Sequence, residues 1–106
     1  MNKIILVDLP SIEKIRGFHG KFIHTDQNTI AFWEIEAGAT LPNHSHVHTQ
    51  STQVLEGEFE LTVEGVTELC KPGAVVIIPS MAVHSGKAIT PCKILDTFAP
   101  VREDYK

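Results

Sequence analysis

Turn-forming residues interrupt this chain every few positions, and no other feature constrains its fold as tightly. The signals fall at Gly17 to Gly20, Asp26 to Asn28, Gly38 to Asn43, Glu56-Gly57, Glu64-Gly65, Lys71 to Gly73, Pro79-Ser80 and Thr90-Pro91. Between them lie short runs rich in Val, Ile, Thr, Phe and Leu. No stretch of helical period is long enough to carry a core, so the pattern predicts an all-β sandwich or barrel. At 106 residues, with neither linker nor repeat, the chain (1–106) is expected to form a single domain.

The runs give the expected strands. In Glu58 to Val63, Phe59, Leu61 and Val63 share one face and Glu58, Glu60 and Thr62 the other, as in a half-buried strand. Glu64-Gly65 turns it back into Val66 to Leu69, which predicts a hairpin. Ala74 to Ile78 is apolar throughout and predicts a strand covered on both sides. Ile30 to Glu36 and Cys92 to Phe98 complete the clear strands. Ser11 to Ile15 is the one helix candidate, a single turn with Ser11 as its cap. A domain this small, with apolar strand edges, is expected to pair with a second copy as a homodimer.

Charge excludes several functions. Nine basic against thirteen acidic residues leave a net charge of −4, without the basic surface that non-specific binding to nucleic acid or an anionic membrane requires. The longest apolar runs, Ile4 to Val7 and Ala74 to Ile78, fall far short of the roughly 20 residues of a membrane span. Asp8 and Pro10 break the first of them before a signal-peptide core can form. Two cysteines, Cys70 and Cys92, are no disulfide framework, so a reduced, cytoplasmic setting is expected.

Six histidines are many for such a chain: His19, His24, His44, His46, His48 and His84. On an extended strand alternate side chains point the same way, so His44 and His46 are expected to project together. Two imidazoles on one face can converge on a divalent ion at about 2.0–2.1 Å, with further donors from neighbouring strands. His-X-His alone also suits a polar, histidine-rich surface loop.

The glycines around these histidines carry a resemblance. Gly38, five residues, His44, one residue, His46, three residues, Gln50, six residues and Gly57 resemble the first motif of the cupin family. That motif ends its donor set in Glu where this chain has Gln50. Gly73, five residues, Pro79 and then His84 resemble the second cupin motif, with Met81 where the family usually has Gly and Ala88 where it usually has Asn. Fifteen residues separate the two motifs, which together lie within 38–88. The resemblance implies a small jelly-roll β-barrel. It also implies one divalent ion per chain held by His44, His46, Gln50 and His84. Three imidazoles and a neutral amide oxygen suit Zn, Ni, Fe or Mn, and leave the ion a strong Lewis acid. His48 matches no ligand position and is expected at the rim; His19 and His24 are expected at the surface or at strand ends.

The C-terminal strand adds a second constellation. Ile94, Asp96 and Phe98 share one face and Leu95 and Thr97 the other; either set can face inward. If the first does, Asp96 is a desolvated carboxylate with a raised pKa, suited to general acid–base work. Asp96-Thr97-Phe98-Ala99-Pro100-Val101-Arg102-Glu103-Asp104-Tyr105 resembles the C-terminal signature of the KdgF-type cupins of pectin and alginate breakdown. Val54 to Glu60, Ile78-Pro79 and His84-Ser85-Gly86 also resemble that group. Such proteins convert 4,5-unsaturated uronate monosaccharides to the linear 4-deoxy-5-keto form. The resemblance implies that Asp96, Phe98, Arg102 and Gln53 are active-site residues and that the partner is a small anionic sugar. Arg102 offers its carboxylate a planar bidentate fork, although a charged tail such as Arg102 to Lys106 can equally be a solvated run. The alternatives are an Fe(II) cupin dioxygenase and a non-catalytic sugar-binding cupin.

Overall fold

A computed structural model describes residues Met1 to Lys106 and gives ten strands with two single 3-10 turns, Leu6–Asp8 and Glu103–Tyr105. The strands are β1 (Ile12–Ile15), β2 (Phe18–His24), β3 (Thr29–Ile35), β4 (Thr40–His44), β5 (Thr49–Glu56), β6 (Phe59–Val63), β7 (Val66–Cys70), β8 (Val75–Ile78), β9 (His84–Ala88) and β10 (Cys92–Ala99). They form a six-stranded sheet of order β1-β2-β3-β10-β5-β8 and a four-stranded sheet of order β4-β9-β6-β7. Every pairing is antiparallel. The all-β reading holds, and the two sheets close on each other as a jelly-roll barrel.

Alternation explains which side chains fill the barrel. Phe18 of β2, Ala31, Trp33 and Ile35 of β3, Val54 of β5, and Ile94 and Phe98 of β10 are buried. Phe59 and Leu61 of β6 meet them from the other sheet. The rings of Phe18, Trp33 and Phe59 pack edge to face at 6.2 and 6.4 Å, the geometry aromatic quadrupoles prefer. Two glycines are needed here. Gly57 closes the β5–β6 turn at φ 86°, with the Pro91 carbonyl lying where a Cβ would stand. Gly86 of β9 leaves the space that the Phe59 ring fills.

Two expectations fail. Ser11 to Ile15 is not helical: Ile12–Ile15 is edge strand β1, paired with β2 through Ile12↔Gly20 and Glu13↔His19. A lone helical turn fixes several dihedrals for a single hydrogen bond, whereas an open sheet edge offers Ile12 to Ile15 a ready ladder. Nor is Ala74 to Ile78 covered on both sides. It supplies β8, the far edge of the larger sheet, with Ile78 buried but Val75 and Ile77 exposed at 58% and 62%.

Candidate functional site

Four donors converge inside one end of the barrel. His44 ends β4, His84 begins β9, and the two are cross-strand partners. His46 follows β4 in the loop to β5, so it reaches the cluster from that loop rather than from the strand the spacing predicts. The ring centroids lie 4.1 Å (His44–His84), 4.9 Å (His46–His84) and 5.6 Å (His44–His46) apart. One ligand-type atom from each of the three lies within 4.8 Å of the others. Hydrogen bonds to its carbonyls hold the loop that carries His46. Met81 N–H donates to the His46 carbonyl at 2.8 Å, and Ser80 Oγ donates to the Val47 carbonyl at 2.6 Å. Met81 takes φ 67°, the left-handed conformation glycine favours, which explains why glycine is usual at its motif position.

Each imidazole is tethered through Nδ1. His44 Nδ1–H donates to the Pro42 carbonyl at 2.9 Å, His46 to the His48 carbonyl at 3.0 Å, and His84 to the Ala82 carbonyl at 2.9 Å. Carbonyl oxygens only accept, so these bonds place a proton on each Nδ1, and a ring that carries no second proton then keeps its lone pair on Nε2. Burial holds the His46 pKa down at about 4, helped by the Arg102 charge. Burial lowers that of His84 as well. Both stay neutral at pH 7.

The fourth donor completes the set. Gln50 Nε2 donates to Thr52 Oγ at 2.9 Å, and Thr52 Oγ donates to Asp96 Oδ1 at 2.7 Å. The amide is thereby oriented with Oε1 towards His46 Nε2, 3.1 Å away. Oε1 and an unprotonated Nε2 are both acceptors, so their approach is favourable only with a cation between them. His84 Nε2, in a side chain 1% exposed, has no hydrogen-bond partner, a costly state for a buried polar atom. Tethered imidazoles, an acceptor facing an acceptor and an orphaned nitrogen together fit a divalent cation.

A carboxylate and a guanidinium share this cavity. Asp96, 8% exposed, points inward from β10 with Ile94 and Phe98, so the first of the two possible facings is the observed one. It accepts from Thr52 and from Trp33 Nε1–H at 3.0 Å. Burial raises its pKa to about 6 against the pull of those hydrogen bonds and of the Arg102 charge. Arg102, also 8% exposed, lies over the Phe98 ring at 4.7 Å. Its backbone N–H is anchored to Thr29 Oγ at 2.9 Å, so the tail here is not a solvated charge run.

Gln53 has to be withdrawn from the site. It is exposed on the outer face of β5, opposite Leu95 of β10, whereas Gln50, Thr52 and Val54 point inward. A one-residue displacement along a strand exchanges its faces, and the residue that belongs in the cavity is Thr52. The spacing could have found it, since Thr52 stands two positions from Gln50 on an alternating strand. Trp33 is the other missed contributor, a core aromatic whose indole N–H needed a buried acceptor. His48 acts at the rim through its backbone: its carbonyl fixes His46, and its Nε2 lies 3.2 Å from the Val101 carbonyl. His19 and His24 lie on β2 away from the cluster, beside Glu36 and Thr29.

A two-sheet antiparallel jelly roll with three inward imidazoles and an amide oxygen at one end defines a small barrel built around a cation-type donor set. The chain belongs to the cupin family: the Cupin_2 model, described as "Cupin domain", matches residues 31–98. Among solved structures, KdgF from Halomonas sp. superposes with a TM-score of 0.94 at 26% identity, over 100% of this chain and 99% of that one. An RmlC-like cupin from Shewanella frigidimarina NCIMB 400 gives 0.92 at 25% identity, over 97% and 94%. The polyketide cyclase RemF of Streptomyces resistomycificus shares the fold, with a TM-score of 0.80 at 21% identity, over 93% and 79%. Among curated proteins, 48 residues are 35% identical to the membrane protein insertase YidC of Ruthia magnifica subsp. Calyptogena magnifica. That match takes in 45% of this chain but only 9% of the other protein's length. No helix of this chain is long and apolar enough to cross a membrane.

Proposed function

We propose that this cupin is an enzyme that opens the ring of a 4,5-unsaturated uronate monosaccharide, giving the linear 4-deoxy-5-keto isomer. The observation that carries this reading is the buried Asp96 carboxylate, its pKa pushed up to about 6 by burial, in one cavity with His44, Gln50, His84 and Arg102. Likeness to KdgF over the full chain and the C-terminal signature support it.

The reaction is an isomerisation, so protons move and electrons are conserved overall. Loss of the proton on the C1 hydroxyl lets that oxygen form an aldehyde while the bond from C1 to the ring oxygen breaks. The electron pair passes to an enolate across the former ring oxygen, C5 and C4, and a proton added at C4 completes the ketone. Asp96 as carboxylate takes the first proton and, as the acid so formed, supplies the second. A pKa near 6 keeps both forms accessible close to neutrality. Trp33 and Thr52 hold the carboxylate in place through both of its oxygens. Arg102 binds the substrate carboxylate, and Phe98 supports the guanidinium from one face. His44, His46, His84 and Gln50 would hold the divalent ion (Zn, Ni, Fe or Mn), which when bound supplies Lewis-acid polarisation of a sugar oxygen. Turnover of unsaturated galacturonate and mannuronate, followed as loss of the ultraviolet absorbance of the conjugated enol ether, tests the reading. Metal-loaded protein inert towards both sugars would refute it.

We propose further that two copies associate through edge strand β8, where Val75 and Ile77 stand exposed. Light scattering at micromolar concentration should give twice the chain mass; a monomer mass would exclude the dimer.

A further inference from the structure

The Arg102 guanidinium is held in a way its binding role alone does not require. Its Nε donates to Asp104 Oδ1 at 2.9 Å and its Nη2 to Asp104 Oδ2 at 2.7 Å, a bidentate pair on the side-on edge of the fork. The ring of Tyr105 lies 4.1 Å from its central carbon, and that of Phe98 lies 4.7 Å from it. Together with the Thr29 anchor on the backbone, these contacts fix the plane of the guanidinium and its rotation within that plane. The side-on edge uses Nε–H and one Nη2–H, so the end-on edge, formed by Nη1 and the second Nη2 hydrogen, is uncommitted to Asp104. Arg102 lines the cavity that contains His84 and Asp96; Asp104 does not line it, and its side chain is 58% exposed.

We propose that Asp104, with Tyr105, is a positioning residue that clamps the outer edge of Arg102 so that its end-on edge presents two parallel donors to a substrate carboxylate in the cavity. This inference rests on the uronate reading for the identity of the substrate, but the clamp can be measured without turnover. A rival role is open to the same carboxylate: Asp104 could occupy the fork in place of substrate and have to be expelled. The two roles predict opposite signs. A clamp makes binding tighter, whereas a competitor makes it weaker.

The test uses the full chain with Asp104→Asn and Asp104→Glu, and it reads binding, kinetics and the arginine itself. Asp104→Asn keeps the size but loses the charge and one acceptor oxygen. Its KM for unsaturated uronate should rise about tenfold while kcat stays within about twofold, since a charge-assisted bidentate pair has been lost from the arginine that binds. Asp104→Glu, which restores a carboxylate, should recover most of that loss. By calorimetry, binding of D-galacturonate, a saturated uronate that cannot react, should weaken by a similar factor, while neutral D-galactose should bind equally to both proteins. The Arg102 Nε–H resonance in ¹⁵N-resolved NMR should be protected from exchange in wild type and lose that protection in Asp104→Asn. Tighter galacturonate binding by Asp104→Asn would overturn the clamp in favour of the competitor. Unchanged binding with unchanged Nε–H protection would overturn both. If wild type fails to turn over any unsaturated uronate, the functional reading falls, yet the galacturonate and NMR arms still decide the clamp.

Discussion

Two places in this molecule bring three metal-ligand side chains within 4.8 Å of one another: His44, His46 and His84 inside the barrel, and Glu13, His19 and Glu36 on its surface. Distance does not separate them. In the surface cluster His19 Nε2 lies 2.7 Å from Glu36 Oε2 and 3.7 Å from Glu13 Oε2, so the imidazole proton has a carboxylate to meet. The bond to Glu36 raises the His19 pKa. The cluster is therefore satisfied by a proton and functions as an exposed ion pair. Inside the barrel every Nδ1 is tethered to a carbonyl, burial disfavours protonation of His46 and His84, the His84 Nε2 lone pair has nothing to accept from, and that of His46 faces another acceptor, Gln50 Oε1. A group of donors makes a cation site when a proton cannot complete it.

Removing a donor from each cluster should give opposite results. His84→Ala should take bound metal from about one ion per chain to none and abolish turnover, because affinity depends on the complete ligand set. Elemental analysis of the purified protein checks this; a full complement of metal in His84→Ala would break the contrast. The pH dependence should show a smaller effect. Asp96 must begin as a carboxylate, and its pKa is raised, so kcat should fall as the pH drops through about 6, by about tenfold per unit below the inflection. A bound cation would move this limb to lower pH. Asp96→Asn should erase the limb, and its survival in that variant would assign it to another group. The smallest effect is expected at the surface: Glu36→Gln should leave metal content and kcat unchanged and remove only the elevation of the His19 titration, as followed by NMR. Loss of bound metal in Glu36→Gln would mean that the surface cluster is the cation site.

Much of this architecture was legible in the residues, for reasons that also explain the errors. The turn signals divide the chain into strands because glycine, proline and Asx turns act locally. Alternation on a strand pairs His44 with His46, and the resemblance to the two cupin motifs adds Gln50 and His84 to the donor set. The inward side of β10 was not legible: Ile94 and Phe98 compete with Leu95 and Thr97, and the outer set is itself half-buried against neighbours on the sheet. Ala74 to Ile78 offered no alternation to read, since Val75 and Ile77 are apolar on a face the barrel does not cover. Gln53 was misplaced because a one-residue ambiguity along β5 moves a side chain from the cavity to the outside. Asp104 and Tyr105 read as part of a charged tail because their role depends on where Thr29 anchors Arg102, a contact between residues 73 apart in the chain.

The claim at the centre of this account is that Asp96 moves protons in a cavity that binds an unsaturated uronate. The most direct measurement is single-turnover and steady-state loss of enol-ether absorbance by metal-loaded wild type and Asp96→Asn, with metal content verified in both. The account predicts turnover by wild type and a fall of about 10²–10⁴-fold in kcat for Asp96→Asn at full metal occupancy. Equal rates for the two proteins would contradict the assignment of Asp96. Absence of wild-type turnover on every unsaturated uronate, with the metal present, would contradict the function itself.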